Sequence, residues 1–399
     1  TLYHWRRAHA PSILTWLLPA SNLQGNGPSP VGHFQGIGWT GTYDMAGNVR
    51  EWCFNETGQE RFILGGGWSD PQYAGQMRHL VQPPIDRSPI NGFRLAIVDD
   101  EEPLASRARG PVPQPVPFDI SSIDRISDEA LELIRGMYDY DPTPLDAEID
   151  ATEETRGWIR ERISFDAAYG DERMTLYLFS PTTGSPPYQT VLYWPGLQAT
   201  VLDTIDQHPV PIDFVLKSGR AVAFPVYKGT FDRKGGEASG PRGSAAHRTR
   251  EIQLINDLRR TLDYLETRAD IDSAAFGYFG HSWGGAKASR ALVLEPRLRL
   301  GVLYTAAVAE VALGLPVLPP EISHLHFLPI VEKPVLMLNG EFDAGVPVET
   351  AAKPYFEMLG TADADKRHVI APGGHFVPRD VLIRETLDWL DKYLGSPGS

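Results

Sequence analysis

A serine set between glycines is the first chemistry the chain offers. Gly280, Ser282 and Gly284 fall in residues 274–285, where a short apolar run ends in Gly-His-Ser-Trp-Gly-Gly. With 38 glycines in 399 residues, a Gly-x-Ser-x-Gly match arises by chance about 0.2 times in such a chain. The flanks decide. Residues 274–279 are strand formers, and residues 283–295 read as a helix with Ala286 and Ala288 small enough to pack closely on a sheet. A strand that passes into a helix through so tight a turn strains its serine and presents the hydroxyl, while the glycines leave room for the chain. The chemistry is nucleophilic. A serine hydroxyl attacks poorly at neutral pH, so it needs a base within hydrogen-bond reach, a group to orient that base, and donors for the oxyanion that attack creates.

Groups of this kind need a sheet to position them. Residues 161–169 and 173–181 alternate apolar with polar side chains and are joined by Gly170 and Asp171, which predicts an antiparallel pair. Six near-continuous apolar runs follow, starting at Thr190, Ala221, Ala274, Gly301, Pro334 and Arg367; buried parallel strands have that pattern. Helices separate most of them. The clearest covers 250–268, with Ile252, Ile255, Leu258, Leu262 and Leu265 on one stripe. A helix over 128–138 is capped by Ser127, and one over 379–394 turns Leu382, Leu387, Leu390 and Leu394 inward and stops at Gly395. The residues up to about 156 show no clear period. Eight strands, mostly parallel, with flanking helices predict an α/β domain, and the arrangement resembles the α/β-hydrolase fold.

That resemblance makes the glycine-flanked turn a nucleophile elbow after the fifth strand, with Ser282 as nucleophile. The fold's order is serine, then acid, then histidine. Asp343, just beyond the seventh strand, resembles the family's acid loop, with Glu341 as its competitor. His375 follows the eighth strand and, of the 11 histidines, holds the expected slot. His281 should point away from the catalytic face, His368 should lie on a strand, and His208, His247, His324 and His326 read as surface or cap residues. The backbone N–H of Trp283 would serve an oxyanion, joined by that of Leu197, where Pro195 replaces the family's usual histidine. Ligands of such sheets bind beyond the carboxyl ends of the strands, which brings Gln198, Tyr227 and Lys228 into the candidate pocket. The Arg and Lys residues of the loop at 231–244 read either as partners for an anionic acyl group or as a solvated surface. Within an expected cap at 308–330, residues 311–329 read as an apolar lid or as a buried structural segment.

The first 98 residues are of another kind, rich in Trp, Gly and Asn with little helical period. GTYDMAGNVREWC at 41–53, RFILGGGWSD at 61–70 and INGFRLAIV at 90–98 resemble the formylglycine-generating enzyme (sulfatase-modifying factor) family, and imply a small, irregular, C-type-lectin-like domain. The family's oxidase chemistry uses a cysteine pair between the second and third of these segments. Residues 69–91 contain no cysteine, so an accessory module is expected. The same resemblance implies a structural calcium at Asp44, Gly47, Val49 and Glu51, with water completing the six to eight oxygens calcium takes; a turn-shaping role for Asp44 and Asn48 fits as well. Four acids at 99–102 and the proline-dense stretch at 110–117 mark residues 99–118 as a linker, leaving 119–399 for the hydrolase-like domain.

Composition excludes several classes. With a formal charge of -14 and a pI near 5.3, affinity for nucleic acid or anionic membranes is not expected. No stretch has the length of a membrane span. Cys53 is the only cysteine, which excludes an internal disulfide and fits a reducing, cytoplasmic compartment. The chain begins at Thr1, so an upstream targeting segment would not be visible. The second part most resembles the dienelactone-hydrolase and acetyl-xylan-esterase branch, which implies a serine carboxylesterase acting through an acyl-enzyme on a small-molecule or polymer-attached ester. Nothing demands a cofactor. A serine peptidase of the prolyl-oligopeptidase type shares the triad but would bring propeller repeats that are not seen. A non-catalytic regulatory module of a bacterial multidomain signalling kinase is the alternative from another class, and oligomer contacts through the N-terminal domain stay open.

Overall fold

Backbone pairing builds two separate sheets. The computed structural model describes residues 20–23, 25–36, 41–70, 81–95, 110–112, 123, 125–200, 202–208, 212–234, 240–308, 310, 316–341, 343 and 345–397. The chain divides into two compact units. One comprises Thr1–Pro117, Gly340–Pro347 and Pro372–Phe376; the other Phe118–Asn339, Val348–Ala371 and Val377–Ser399. Most of the expected linker, at 99–109 and 113–118, lies outside the described residues, as do positions 309 and 311–315 of the expected cap. Among the described residues no helix is long and apolar enough to cross a membrane.

The smaller sheet contains β1 (Arg50–Thr57), β2 (Glu60–Leu64), β3 (Val81–Gln82) and β4 (Asn91–Gly92) in the order β3-β2-β1-β4. Polar side chains do much of the holding here. Arg50 grips Asp70 with two bonds of 2.6 and 2.7 Å, and Asp70 also accepts the Gly67 N–H at 2.8 Å. Asn48 accepts the Ser29 N–H at 2.8 Å and the Asn22 amide at 3.2 Å. Each of these polar groups satisfies another, so Asn48, Arg50 and Asp70 of the two motif segments hold turns.

The larger sheet contains β5 (Glu148–Glu154), β6 (Trp158–Asp166), β7 (Arg173–Pro181), β8 (Tyr188–Trp194), β9 (Ala221–Pro225), β10 (Ile271–His281), β11 (Leu298–Tyr304), β12 (Val335–Gly340) and β13 (Lys366–Ala371). Its order is β13-β12-β11-β10-β8-β9-β7-β6-β5. Strands β5, β6, β7 and β9 pair antiparallel in turn, whereas β9, β8, β10, β11 and β12 run parallel. Among the described residues the sheet has nine strands where eight were expected. The extra one, β5, is exposed at all seven positions and so has no apolar period to read; pairing with β6 holds it, beside the Arg162–Asp150 and Arg160–Glu153 bridges of 2.8 and 2.6 Å. Because β9 inserts between β7 and β8, the chain leaves β8 in one direction and crosses back for β10. The carboxyl ends of β8 and β10 therefore flank a topological switch point, where open α/β sheets bind ligands.

Side chains alternate through β8 into two apolar layers. Val191 and Tyr193 join Phe224, Val302 and Trp389, while Leu192 and Trp194 join Leu254, Leu258 and Ala288. Both faces are covered, which is why the strand sequences are continuously apolar. The main helices are α1 (Asp128–Met137), α2 (Ala245–Leu265), α3 (Trp283–Leu294) and α4 (Arg379–Leu394). Helix α2 starts earlier than its apolar stripe because the Ser244 hydroxyl accepts the His247 N–H at 3.3 Å and caps it. On α4, Leu382 and Leu390 are buried as expected, Leu387 and Leu394 pack at the margin, and Trp389 fills the layer instead. The aperiodic residues before β5 are held by one buried cation: Arg260 donates to the carbonyls of Thr143, Pro144 and Asp166 at 2.8 to 2.9 Å.

Candidate active site

Strand β10 ends at His281 and α3 begins at Trp283, so Ser282 makes the turn alone. Its backbone sits at φ 53, ψ -102, a region a residue with a side chain keeps only when its surroundings hold it there. They do. The Ser282 N–H donates to the Tyr304 carbonyl at 2.7 Å, and the Gly284 N–H to the Pro195 carbonyl at 3.1 Å. The flanking glycines are steric requirements: a Cβ on Gly280 would lie 2.6 Å from the Gly284 carbonyl, and one on Gly284 would strike the carbonyl of Trp194. Two buried hydroxyls brace the first turn of α3, Tyr278 on the Gly284 carbonyl at 2.6 Å and Tyr355 on the Gly285 carbonyl at 3.0 Å.

Asp343 lies three residues past the end of β12 and His375 four past the end of β13. His375 Nδ1 meets Asp343 Oδ2 at 2.7 Å. A carboxylate only accepts, so Nδ1 carries the proton and Nε2 presents its lone pair. Glu341 is exposed, whereas the Asp343 side chain is 2% exposed and its Oδ1 also accepts the N–H groups of Gly345 (2.8 Å) and Val346 (3.1 Å). Burial would raise the Asp343 carboxyl, but His375 and these two amides outweigh it and hold the group below the usual carboxylate range. Burial would lower His375, but the charge and hydrogen bond of Asp343 carry it above the ordinary imidazole value.

Beyond β8, Leu197 opens a short 3-10 turn at Leu197–Thr200 and is 57% exposed. The first N–H groups of such a turn, like those of α3 at Trp283, lack partners within it. The Gln198 amide folds back against Gly196. Two expected pocket residues are corrected. Tyr227 is fully buried, stacked on Trp194 at 3.8 Å, because the strand pattern continues past β9 into the core. Lys228 is engaged with Glu172 and lies over the Tyr169 ring. The loop cations follow suit: Arg233 pairs with Asp257 at 2.9 Å, Lys234 with Asp203 at 2.5 Å and Arg242 with Glu310 at 2.7 Å. Each already has a carboxylate, which removes the reason to expect an anionic acyl group. Of the expected cap, Leu318, Ile322, Leu325, Phe327 and Leu328 are buried, as in a structural segment.

The histidines divide differently from expectation. His281 is buried against Tyr304, and His368 lies on β13 as expected, with Nε2 3.0 Å from Asn339 Oδ1. His208 and His324, read as surface or cap residues, are buried; His208 sits among Tyr193, Phe224 and Phe231.

Sequence reading missed a buried ionic group on α3. Glu251 accepts Lys287 Nζ at 2.7 and 2.5 Å and also binds Arg290, and the Lys287 ammonium lies 5.4 Å over the ring of Trp283. Burial alone would raise Glu251, yet the two cations hold it well below the usual carboxylate range. Glu251 shares a helix face with Ile255, Leu258 and Leu262, so an acid inside an apolar stripe was the available signal. Glu251→Gln is expected to destabilise the protein by about 3–5 kcal/mol, since it leaves two buried cations without their counter-charge. Urea titration measures this, and an unchanged midpoint would refute it.

Both carboxylates expected on calcium are engaged within the protein. Asp44 accepts the Gly32 N–H at 2.9 Å, and Glu51 is gripped by Arg94 at 2.8 and 3.1 Å. An ion between Gly47 and Val49 would have to draw Glu51 away from a guanidinium. With the Asp44 and Glu51 carboxylates already taken by the Gly32 N–H and the Arg94 guanidinium, this turn does not fit the ion.

Comparison with known proteins separates the two parts of the chain. Residues 4–98 match the family model of the sulfatase-modifying factor enzyme 1-like domain. Uncharacterised proteins from two strains of Mycobacterium tuberculosis are each 30% identical over 161 residues, covering 38% of this chain and 56% of theirs; the chain thus spans about half the length of those relatives. Acetyl xylan esterases from a Paenibacillus species and a Thermoanaerobacterium species superpose with a TM-score of 0.52 at 15% identity, over 68% of this chain and 96% of theirs. At that identity the likeness is one of fold. The chain therefore carries a sulfatase-modifying-factor-like segment at its N-terminal end and, in its large sheet, the α/β-hydrolase fold.

Proposed function

We propose that the protein is a carboxylic ester hydrolase in which Ser282 is the nucleophile, His375 the general base and Asp343 its orienter. The observation that carries this reading is the strained Ser282 backbone, at φ 53 between two glycines that nothing larger can replace. The Asp343–His375 pair supports it, since both residues follow adjacent strands of the same sheet. Ser282 Oγ attacks the ester carbonyl carbon and its proton passes to His375 Nε2. The backbone N–H groups of Trp283 and Leu197 receive the oxyanion. Collapse expels the alcohol, which takes the proton from His375, and a water molecule then repeats the sequence to release the acid. We assign residues 1–98 an accessory part, 99–118 a linker and 119–399 the catalysis. The paired loop cations favour an uncharged ester, and the acetyl xylan esterases of like fold support a short acyl group.

The test is release of p-nitrophenol from acetate and butyrate esters by the purified chain, with the matching anilides in parallel. Esters should be cleaved and anilides spared. A rate no higher than buffer sinks the reading, and equal cleavage of anilides turns it toward a peptidase. The pH profile adds a constraint with a definite sign. Only neutral His375 accepts the serine proton, and its folded-state value is raised, so the acidic limb of kcat/KM is expected above about 6.5, the ordinary imidazole value.

A further inference from the structure

Tyr304 ends β11 beside the serine turn, and three separate parts of it make contacts. Its carbonyl accepts the Ser282 N–H at 2.7 Å and the Thr305 hydroxyl at 2.7 Å. Its ring stacks on the imidazole of His281, with centroids 5.0 Å apart and planes inclined by 27°; His281 immediately precedes the nucleophile. Its hydroxyl accepts the N–H of Val377 at 3.0 Å, and Val377 is the second residue after His375. Tyr304 is 1% exposed and Val377 6%, so water does not compete for this last bond. Both side chains belong to the apolar layer that also holds Leu382 and Trp389.

We propose that Tyr304 is a positioning residue that sets the serine turn and the return of the histidine loop in one register. The assignment rests on the ester-hydrolase reading. A ring with two rotors, packed on both sides, transmits position far better than a flexible chain, and a misplacement of about 1 Å between reacting groups can cost about 10²-fold in rate. Without the hydroxyl, the Val377 N–H would be buried without a partner, and the segment just after His375 would shift to satisfy it.

Tyr304→Phe tests this, because it keeps the ring, the stack and the carbonyl and deletes the hydroxyl that accepts the Val377 N–H. On p-nitrophenyl acetate kcat is expected to fall roughly tenfold, the scale of a sub-ångström displacement, while KM stays within about twofold of the native value. Labelling of Ser282 by a fluorophosphonate should slow by a similar factor. Native kcat and a native labelling rate would overturn the assignment, even if the variant melts at a lower temperature. So would a change confined to KM. Native protein and Ser282→Ala are assayed alongside: no ester cleavage by the native protein sinks the ester-hydrolase reading, whereas native cleavage with an unaffected Tyr304→Phe sinks the Tyr304 assignment alone.

Discussion

Ser282→Ala is expected to lower kcat for p-nitrophenyl esters by on the order of 10⁵ to 10⁶, the scale seen when a triad serine is removed. The reason is local. The substitution keeps the Cβ, and the N–H bond to Tyr304 and the close passage of Gly280 past Gly284 do not involve the hydroxyl. The fold should therefore stay as it is while the attacking atom is lost. Nitrophenol release and fluorophosphonate labelling report the chemistry, and thermal melting reports the fold. A variant that melts like the native protein and keeps more than about a hundredth of its rate would show that another group attacks.

Asp343→Asn carries the second large effect, a fall in kcat of about 10⁴-fold with little change in fold, because an amide can hold the wrong tautomer of His375. It also makes a prediction of sign. In the native protein burial lowers His375 and Asp343 more than compensates; with the charge gone, burial prevails. The acidic limb of kcat/KM should move to lower pH. Glu341→Gln is the contrast, because Glu341 is exposed and should leave both rate and limb unaltered. If Glu341→Gln gave the large loss and Asp343→Asn did not, the orienter would be reassigned.

What could be read from the sequence follows from what apolar periodicity reports. Strands β8, β9, β11 and β12 announce themselves because both faces are covered, and the serine turn because two glycines and a change of period coincide. The exposed strand β5 has no such mark. Arg260 and Glu251 hold buried polar networks whose partners lie far off in sequence, so no local pattern betrays them; the stripe of α2 hints at Glu251 only as an exception. Position at a strand end suggests Tyr227 and Lys228 for the pocket, but the burial of Tyr227 and a nearby Glu172 decide otherwise. Chain order points to Asp343 and His375, whereas the 2.7 Å contact depends on two loops whose shapes no spacing encodes.

The acidic edge of the large sheet has a consequence for solution behaviour. A terminal strand offers a row of unpaired N–H and C=O groups to any chain that can align with it. In β5 that row is studded with Glu148, Asp150, Glu153 and Glu154. Asp150 and Glu153 are already answered by Arg162 and Arg160, so in a second copy aligned there it is Glu148 and Glu154 that would meet like charge, on a molecule already carrying a charge of -14. Those two exposed acids disfavour edge-to-edge pairing of crowded copies, so the edge carries its own guard.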